Sequence, residues 1–451
     1  MFRHIIFILT VLFFVHTTVP AWTASPTLIR DAEVETTIRS YATPLFRAAG
    51  LNAQDVEIYI VNDKARNAFV AGGQKLFINS GLILNADSVN QIIGVIAHET
   101  GHIAGGHLSR IEAALSRVSA TSILSLILGG AATIATSRSD IGKAIVVGGG
   151  AVAQRSFLSY SRIQEAAADI AALKLLNQTN QSAEGMLNFL KKLSDQELLS
   201  PAQQNPYVRS HPLTRDRVAT ITRHVANSPY SGKPIFGKLI DTHERIKAKL
   251  FAFIKPTEQT LRVYKSDDNT IHSRYAQAIA YFRRRNLDHA LPIMDSLISE
   301  DQSNPFFHEL KGQMLFENAR IGEALSSYTY ASNLLPDSAL IRRDLARVQL
   351  ELGGPKYLDF AIKNLKASVA IEPLSAFNWH LLAVAHGRKG NLGHSSIALA
   401  EEALLRGKPK IAEFHAGRVQ KLFSQGEREW LIAEDIRLAA KDLAVRKRRG
   451  K

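Results

Sequence analysis

Cysteine is absent from the chain of 451 residues. This absence excludes disulfide bonds, thiolate metal ligands and a cysteine nucleophile. It also suits an oxidising compartment, in which a free thiol is a liability. The length predicts two or three domains, and the apolar content of 46% is sufficient for substantial cores.

The apolar run near the N-terminus is too short for an ordinary membrane span. This core, from Ile5 to Val15, follows Arg3 and His4 and has the length found in signal peptides, with small residues behind it for a cleavage site. We therefore predict a cleaved signal peptide at residues 1–21, with an uncleaved anchor as the alternative. Because there is no cysteine, lipoprotein attachment is excluded.

Acidic residues are outnumbered, with 41 Asp and Glu against 55 Lys and Arg, which gives a formal net charge of +14. Such a balance favours contact with an anionic surface, namely nucleic acid, acidic lipid or lipopolysaccharide. The alternative is a basic surface without a partner. Residues 441–451 form a basic tail ending in VRKRRGK, which predicts either a solvated end or contact with anionic lipid.

Hydrophobic periodicity predicts a helix, two strands and a longer helix ahead of residue 116. DAEVETTIRSYATPLFRAAG predicts the first helix, closed by Gly50, and VEIYIVND predicts an alternating strand. Gly72 and Gly73 predict a hairpin turn before the strand LFINSGLI. The stretch SVNQIIGVIAHETGHIAGGHLSRIEAAL predicts the long helix, with one apolar stripe formed by Ile92, Val95, Ile96 and Ile103.

Residues 118–154 are rich in Gly, Ala, Ser and Thr and carry little charge. Small residues allow close packing of membrane helices, but the strongly apolar cores of this segment are short for spanning. We predict a helical hairpin that contacts a membrane or gates the site. Buried core helices are the second interpretation, and a transmembrane pair is the third.

Small residues recur in the C-terminal half, mostly at steps of 34 residues. One series is Ala278, Gly312, Ala346, Ala383 and Gly417; a second is Ala290, Ala324, Ala361 and Ser395. Such a period, with small residues where two helices touch, is typical of tetratricopeptide repeats and disfavours an irregular bundle. We predict a linker at residues 256–272 and a repeat solenoid at residues 273–440, whose concave face holds a protein.

The motif HETGH predicts a metal site. His98 and His102 lie four residues apart on one face of a helix, so both imidazoles can reach one zinc ion. Glu99 between them can take a proton from the attacking water during hydrolysis of a peptide bond. The alternative is a pair of surface histidines.

A third protein ligand is needed. In the pattern HExxHxxGxxH the glycine corresponds to Gly105, but the last histidine position holds Leu108, and His107 lies one residue early, so that pattern fails. The helical stretch SYSRIQEAAADIAALKLL offers Glu165, with Asp169 one turn further on. We predict Glu165 as the third ligand and Asp169 as a hydrogen-bond partner of a ligand histidine.

The order HExxH, SRxxExxAD and HPxxxxR, the last within SHPLTRDRV, resembles the Ste24/HtpX-type gluzincin metallopeptidases. NAFVAGG and INSGLI resemble that family's segment before the zinc helix. A leader in front and tetratricopeptide repeats behind narrow the resemblance to the BepA-type, beta-barrel assembly-enhancing proteases of the Gram-negative periplasm. The fold implied is mostly α with a small β-sheet: a gluzincin metallopeptidase domain at residues 22–255, followed by a tetratricopeptide-repeat α-solenoid.

The resemblance implies one Zn²⁺ per chain, with Glu99 as general base and the ligands His98, His102 and Glu165. It also implies that His107 is outside the ligand set. Asp169 would orient a ligand, His211 would be a gate or fourth ligand, and Arg217 would shape the cleft or stabilise the oxyanion. An extended substrate would pair with the strand LFINSGLI, and the candidate substrate-binding residues are Asn67, Gly72, Gly73 and Ile78.

The function implied is a zinc metalloendopeptidase of the periplasm that degrades misfolded or misassembled envelope proteins. A chaperone role in outer-membrane β-barrel assembly, contact with the assembly machinery through the repeats and peripheral membrane contact are further expectations. The alternative is a repeat-based chaperone or scaffold with a latent zinc site closed by His211. Nucleic-acid binding depends on charge alone, and the signal peptide argues against it.

Overall fold

The computed structural model describes residues 27–107, 150–194 and 204–449. Helices predominate, and the strands form one small sheet near the N-terminus. This architecture confirms the predicted fold class. The predicted signal peptide at residues 1–21 and most of the hairpin predicted at 118–154 lie outside the described residues, as does the end of the basic tail.

The sheet has the strand order β1-β2-β4-β3. β2 is parallel to β4, while β1 pairs with β2 and β3 pairs with β4 in the antiparallel direction. Ile60, Leu76 and Ile78 are buried against helix α1 and its neighbours, so alternate side chains of the strands line one core. The bounds are β1 Leu28–Ile29, α1 Ala32–Ala48, β2 Glu57–Val61, β3 Ala68–Ala71 and β4 Lys75–Asn79.

The strand predicted from LFINSGLI is wrong in its second half. β4 ends at Asn79, and Ser80–Asn85 form helix α2, because a short apolar run does not by itself distinguish a strand from a helix. The predicted pairing of substrate with this strand is also wrong. β4 is paired on both sides, with β2 and β3, so its backbone groups have no free edge for a further strand.

Two glycines in the motif helix α3 let two neighbouring helices pack closely against it. A Cβ atom at Gly94 would lie 2.7 Å from the Cβ of Met186, and one at Gly101 would lie 2.7 Å from the carbonyl oxygen of Ala168. Both distances are shorter than a real Cβ contact, so these positions require glycine. The bounds are α3 Val89–Ala104, α4 Gly150–Gln178, α5 Glu184–Leu193, α6 Pro206–Ser210, α7 Arg215–Asn227 and α8 Gly237–Ile254.

Helix α3 ends at Ala104, earlier than predicted. Residues 108–115 of the predicted helix lie outside the described residues. Gly105 and Gly106 form a turn, and Gly106 has a φ of +59°, a left-handed conformation that favours glycine. The HETGH motif lies on the helix as predicted. His107 lies beyond its end.

Helices α10 to α19 form five consecutive pairs and confirm the predicted repeat solenoid. The first small-residue series lies in the first helix of each pair and the second series in the second helix. A Cβ atom at Gly312 would lie 2.8 Å from the ring of Tyr328, and the Ser395 hydroxyl donates to the carbonyl of Ala383 at 2.9 Å. The bounds are α10 Ile271–Arg283, α11 Leu287–Glu300, α12 Pro305–Glu317, α13 Ile321–Leu334, α14 Ala339–Leu352, α15 Gly354–Ile371, α16 Ala376–Arg388, α17 Leu392–Leu405, α18 Pro409–Leu422 and α19 Arg428–Arg449.

Helix α8 belongs to two cores at once. Its Ile246 and Leu250 pack into the core around the sheet, while its Ala248 and Ala252 pack with Tyr275 in the core of the first repeats. The segment 256–272, predicted as a linker, contains a further helix, α9, at Thr257–Val263. The two halves of the chain are therefore joined through packed helices.

A buried charge cluster crosses the same junction. The ammonium of Lys249 lies 2.8 Å from Asp31 Oδ2, 3.4 Å from Glu33 Oε2 and 3.5 Å from Glu309 Oε2. Glu33 also accepts a hydrogen bond from the hydroxyl of Tyr275 at 2.8 Å. Because Glu309 and Tyr275 lie in the repeats, the cluster ties the two halves together.

Across residues 27–107, 150–194 and 204–449, none of the helices combines the length and apolar character needed to span a membrane.

Candidate metal centre

Helix α3 brings the two histidines of HETGH to the same buried point. His98 and His102 are one helical turn apart, and their Nε2 atoms lie 3.1 Å from each other. Both side chains are buried, so they are not surface histidines. Glycine at position 101 allows helix α4 to pack closely against this turn.

Helix α4 supplies Glu165 and Asp169 from the side facing α3. Glu165 Oε2 lies 3.3 Å from His98 Nε2, and Glu165 Oε1 lies 3.3 Å from His102 Nε2. Asp169 Oδ1 lies 2.9 Å from His98 Nδ1, on the opposite edge of the ring. The structure therefore brings both carboxylates that the sequence predicts for the site next to the motif histidines.

His211 completes the group from the loop after α6. Its Nδ1 lies 3.2 Å from both carboxylate oxygens of Glu165 and 3.3 Å from His98 Nε2. The nitrogen and oxygen atoms of the group lie within 4.8 Å of one another, and its members are His98, His102, Glu165 and His211. His107 is outside this group.

Tyr207 is part of the site but was missed by the sequence reasoning. Its ring stacks on that of His211 at a centroid distance of 4.5 Å, and it is buried. Asn205 caps helix α6 by accepting a hydrogen bond from the Tyr207 amide at 2.9 Å, which fixes the short helix that carries the ring. The i, i+4 spacing of Tyr207 and His211 was the signal available in the sequence.

Arg217 lies in the first turn of α7, where Thr214 caps the helix. Its guanidinium donates to Asp169 through Nε at 2.6 Å and Nη2 at 2.9 Å, and Nη1 lies 2.8 Å from Glu165 Oε2. Nη1 also donates to the carbonyl of Pro212 at 2.9 Å. These contacts differ from those expected of an oxyanion donor, because the guanidinium is directed at the carboxylates of the site.

The buried carboxylates give the centre an excess of negative charge that a bound cation would balance. Three buried carboxylates, Glu99, Glu165 and Asp169, face one guanidinium, which leaves two negative charges when the histidines are neutral. Buried charges are costly unless they are paired. A divalent ion among imidazole nitrogens and a carboxylate oxygen would balance them, so the donor set fits a divalent transition metal.

The pKa values of the histidines and of Glu165 are shifted by burial and by the charges and hydrogen bonds of their neighbours. Burial disfavours charge on His98, but hydrogen bonds and negative charge from Asp169 and Glu165 outweigh it and raise the pKa of His98 to about 10. Burial lowers the pKa of His102 to about 3. Burial alone would raise the pKa of Glu165, yet the neighbouring histidines hold it well below its usual value. The site favours positive charge beside anionic carboxylates.

Glu99 is placed differently from the other carboxylates. It is fully buried, and neither carboxylate oxygen has a hydrogen-bond partner within the described part of the chain. His211 Nε2 lies 3.4 Å from Glu99 Oε1, outside hydrogen-bonding geometry. Burial raises the pKa of Glu99, so this carboxylate is a proton acceptor with its lone pairs free of other described groups.

The predicted substrate-binding residues lie in the hairpin of β3 and β4. Asn67 is buried directly before β3, Gly72 and Gly73 form the turn, and Ile78 points into the core with no exposed surface. Within the described residues, no hydrogen bond or ion pair joins these four to the centre. The buried side chain of Ile78 contradicts a direct contact with substrate.

The HExxH helix, the glutamate from a second helix and the orienting aspartate define a metallopeptidase of the gluzincin type. Residues 29–225 match the model of Peptidase family M48. Residues 29–225 are therefore similar to the M48 peptidases, and tetratricopeptide repeats follow them. The chain is a metalloprotease.

Curated relatives agree with this assignment. The beta-barrel assembly-enhancing protease of Yersinia pestis is 24% identical over 404 residues, which cover 85% of this chain and 79% of that one. The protein of the same name from Escherichia coli strain K12 is 23% identical over 401 residues, or 85% and 78% of the two chains. Metalloprotease YcaL of Escherichia coli strain K12 is 28% identical over 172 residues, covering 38% of this chain and 62% of that one.

Proposed function

We propose that the protein is a zinc-dependent endopeptidase of the bacterial periplasm that cleaves extended segments of misfolded or misassembled envelope proteins. The single observation that carries the proposal is the buried set of three histidines and a glutamate around one point, with Glu99 beside it. The names of the relatives support a link to β-barrel assembly. The predicted signal peptide supports the compartment.

We assign the metal to His98, His102 and Glu165. Zn²⁺ bound there would act as a Lewis acid and lower the pKa of the attacking water. Asp169 holds the ring of His98 through its Nδ1 hydrogen, and Arg217 holds Asp169 and Glu165 in turn. Arg217 is therefore a positioning residue in this proposal, in place of the oxyanion contact expected from the resemblance.

Glu99 is the general base. Its carboxylate, which has no hydrogen-bond partner among the described residues, takes the proton of the attacking water and returns it to the amine that leaves when the peptide bond breaks.

The substrate binds as an added strand along β3. This strand lies at the end of the sheet order and has no second strand partner in the described residues, in contrast to β4. Its four residues are buried, so the substrate would contact the backbone edge of the strand and not its side chains. It also packs against α3, the helix that carries the motif. Main-chain pairing of this kind selects extended chain with little regard for side chains, and unfolded or unassembled proteins expose such chain.

His211 is the gate or a fourth ligand. Its imidazole lies beside His98 and Glu165, so with zinc bound it could take the fourth position that a catalytic zinc would otherwise keep open. This placement also favours the second candidate function, a repeat-based chaperone or scaffold whose zinc site is usually closed. In both versions the repeats bind a protein, and we propose the β-barrel assembly machinery of the outer membrane as that partner. Peripheral contact of the chain with a membrane surface is a separate part of the proposal.

The test uses residues 22–451 and the Glu99→Gln variant, with zinc content and cleavage of an unfolded model protein measured side by side. We expect about one zinc in both proteins and cleavage by the parent alone. Cleavage by the variant would overturn the role of Glu99. Zinc in both without cleavage by either would favour the closed, scaffold function.

A further inference from the structure

The outer ring nitrogens of the two motif histidines have different partners. His98 Nδ1 lies 2.9 Å from a carboxylate oxygen of Asp169. His102 Nδ1 lies 3.0 Å from Nδ1 of another imidazole, that of His107. The rings of His102 and His107 meet edge to face, with centroids 5.0 Å apart, and both are buried.

The turn after α3 brings His107 back to its own helix. The left-handed Gly106 reverses the chain, and Gly105 leaves room for the returning ring. A Cβ atom at Gly105 would lie 2.5 Å from His107 Nε2, whereas at Gly106 it would meet nothing within 4 Å. The ring is thus held on Nδ1 of His102, one residue short of the position that a metal ligand would need in the HExxHxxGxxH pattern.

The hydrogen bond fixes a tautomer. His102 Nε2 points at His98 and Glu165, so its lone pair must face them if His102 binds a metal. Its single proton then lies on Nδ1 and is donated to His107. His107 can accept it only through an unprotonated Nδ1, so its own proton lies on Nε2.

We infer that His107 is a positioning residue for His102: its Nδ1 accepts the Nδ1 hydrogen of His102 and thereby fixes the tautomer and the ring plane that turn Nε2 to the metal. The inference rests on the proposed function, in which His102 is a ligand. His107 does for His102 what Asp169 does for His98, but as a neutral acceptor. Partners of this kind keep ligand imidazoles oriented and raise their basicity.

The experiment compares His107→Leu with His107→Asn in the full mature chain. Leucine removes the acceptor, while the amide oxygen of asparagine can occupy roughly the place of Nδ1. Zinc affinity is measured by competition with a chelator, the ligand field by the visible spectrum of the Co²⁺-substituted protein, and cleavage by separate kcat and KM values.

We expect His107→Leu to lower zinc affinity by roughly 10- to 100-fold, to shift the cobalt spectrum and to lower kcat with little change in KM. His107→Asn should restore most of each property. A leucine variant with the parent's affinity and spectrum would overturn the inference, and so would an asparagine variant as impaired as the leucine variant.

Gly105→Ala tests the same contact if His107→Leu does not fold. Its methyl group would displace the ring of His107 while leaving the acceptor in the chain, so zinc affinity should fall; an unchanged affinity would count against the inference. Gly106→Asn, a residue that tolerates the left-handed conformation, is the control and should match the parent. Failure of the proposed function looks different, because the parent itself would then lack zinc or cleavage.

Discussion

Arg217 and Asp169 form a two-point ion pair at the edge of the metal centre, with Nε to Oδ2 at 2.6 Å and Nη2 to Oδ1 at 2.9 Å. The same Oδ1 accepts from His98. The orientation of a motif histidine therefore depends on a residue 119 positions away in the chain. Such a planar, paired contact is specific to arginine.

Replacing Arg217 with lysine should weaken zinc binding by about tenfold or more, because an ammonium cannot make the paired contact and Asp169 is less firmly held. Chelator competition measures the affinity. Arg215→Lys is the matched control, since Arg215 is exposed on the same helix. Parent-like affinity in Arg217→Lys would show that the charge alone is sufficient.

Replacing His211 with alanine should raise the cleavage rate of an unfolded model protein, because it removes the ring that would compete with substrate and water for the metal. Tyr207→Leu should raise the rate in the same direction by removing the ring stacked on His211. Initial rates and zinc content are measured together. Unchanged cleavage, or loss of zinc in His211→Ala, would contradict the gate.

Replacing Lys249 with methionine should lower the free energy of unfolding by about 3–5 kcal/mol, because it removes the buried cation that Asp31, Glu33 and Glu309 share. Glu33 would keep Arg245 as its cation, whereas Lys249 is the cation that contacts Glu309. Lys249 is 1% exposed, and its partners come from both halves of the chain. Urea unfolding followed by circular dichroism measures the change. Lys238→Met, exposed on the same helix, should be close to the parent; an equal loss in both variants would refute the junction's contribution.

Glu309 predicts a pH-dependent stability. Burial raises its pKa to about 7 in the folded chain, against 4.5 for the free side chain. The folded state then binds more protons than the unfolded state between these values, so this group's contribution is present below pH 4.5 and is lost as the pH rises through 7. The parent should lose stability relative to Glu309→Gln over that interval in urea titrations. Parallel curves would exclude the effect.

The motif chemistry was predictable because it is local. The four-residue spacing in HETGH places both histidines on one face of a helix, and the same spacing places Glu165 and Asp169 on one face of a second helix. The 34-residue period likewise predicts the repeats, because each small residue marks a helix contact within one unit. Each of these patterns is visible within one helix or one repeat, and the pairing of Glu165 with the upstream motif follows from the need for a third metal ligand.

The pairing of distant elements was not predictable in this way. The parallel register of β2 with β4 places β4 inside the sheet, and no pattern within LFINSGLI indicates this. The contact of Arg217 with Asp169 and that of Lys249 with Glu33 join residues far apart in sequence. The sequence placed Asp169 and Arg217 at the site but did not indicate that they contact each other, and it gave no sign that Lys249 is buried, because both features depend on the tertiary fold.

Helix α8 has a consequence for how the chain can be divided. A fragment that stops at residue 255 would keep the helix but expose Ala248 and Ala252, and a fragment that starts there would lose the partner of Tyr275. The protease and the repeats are separate in sequence pattern, yet they share helix α8, so we expect them to unfold together. Changes in the first repeats should therefore also affect the stability of the protease.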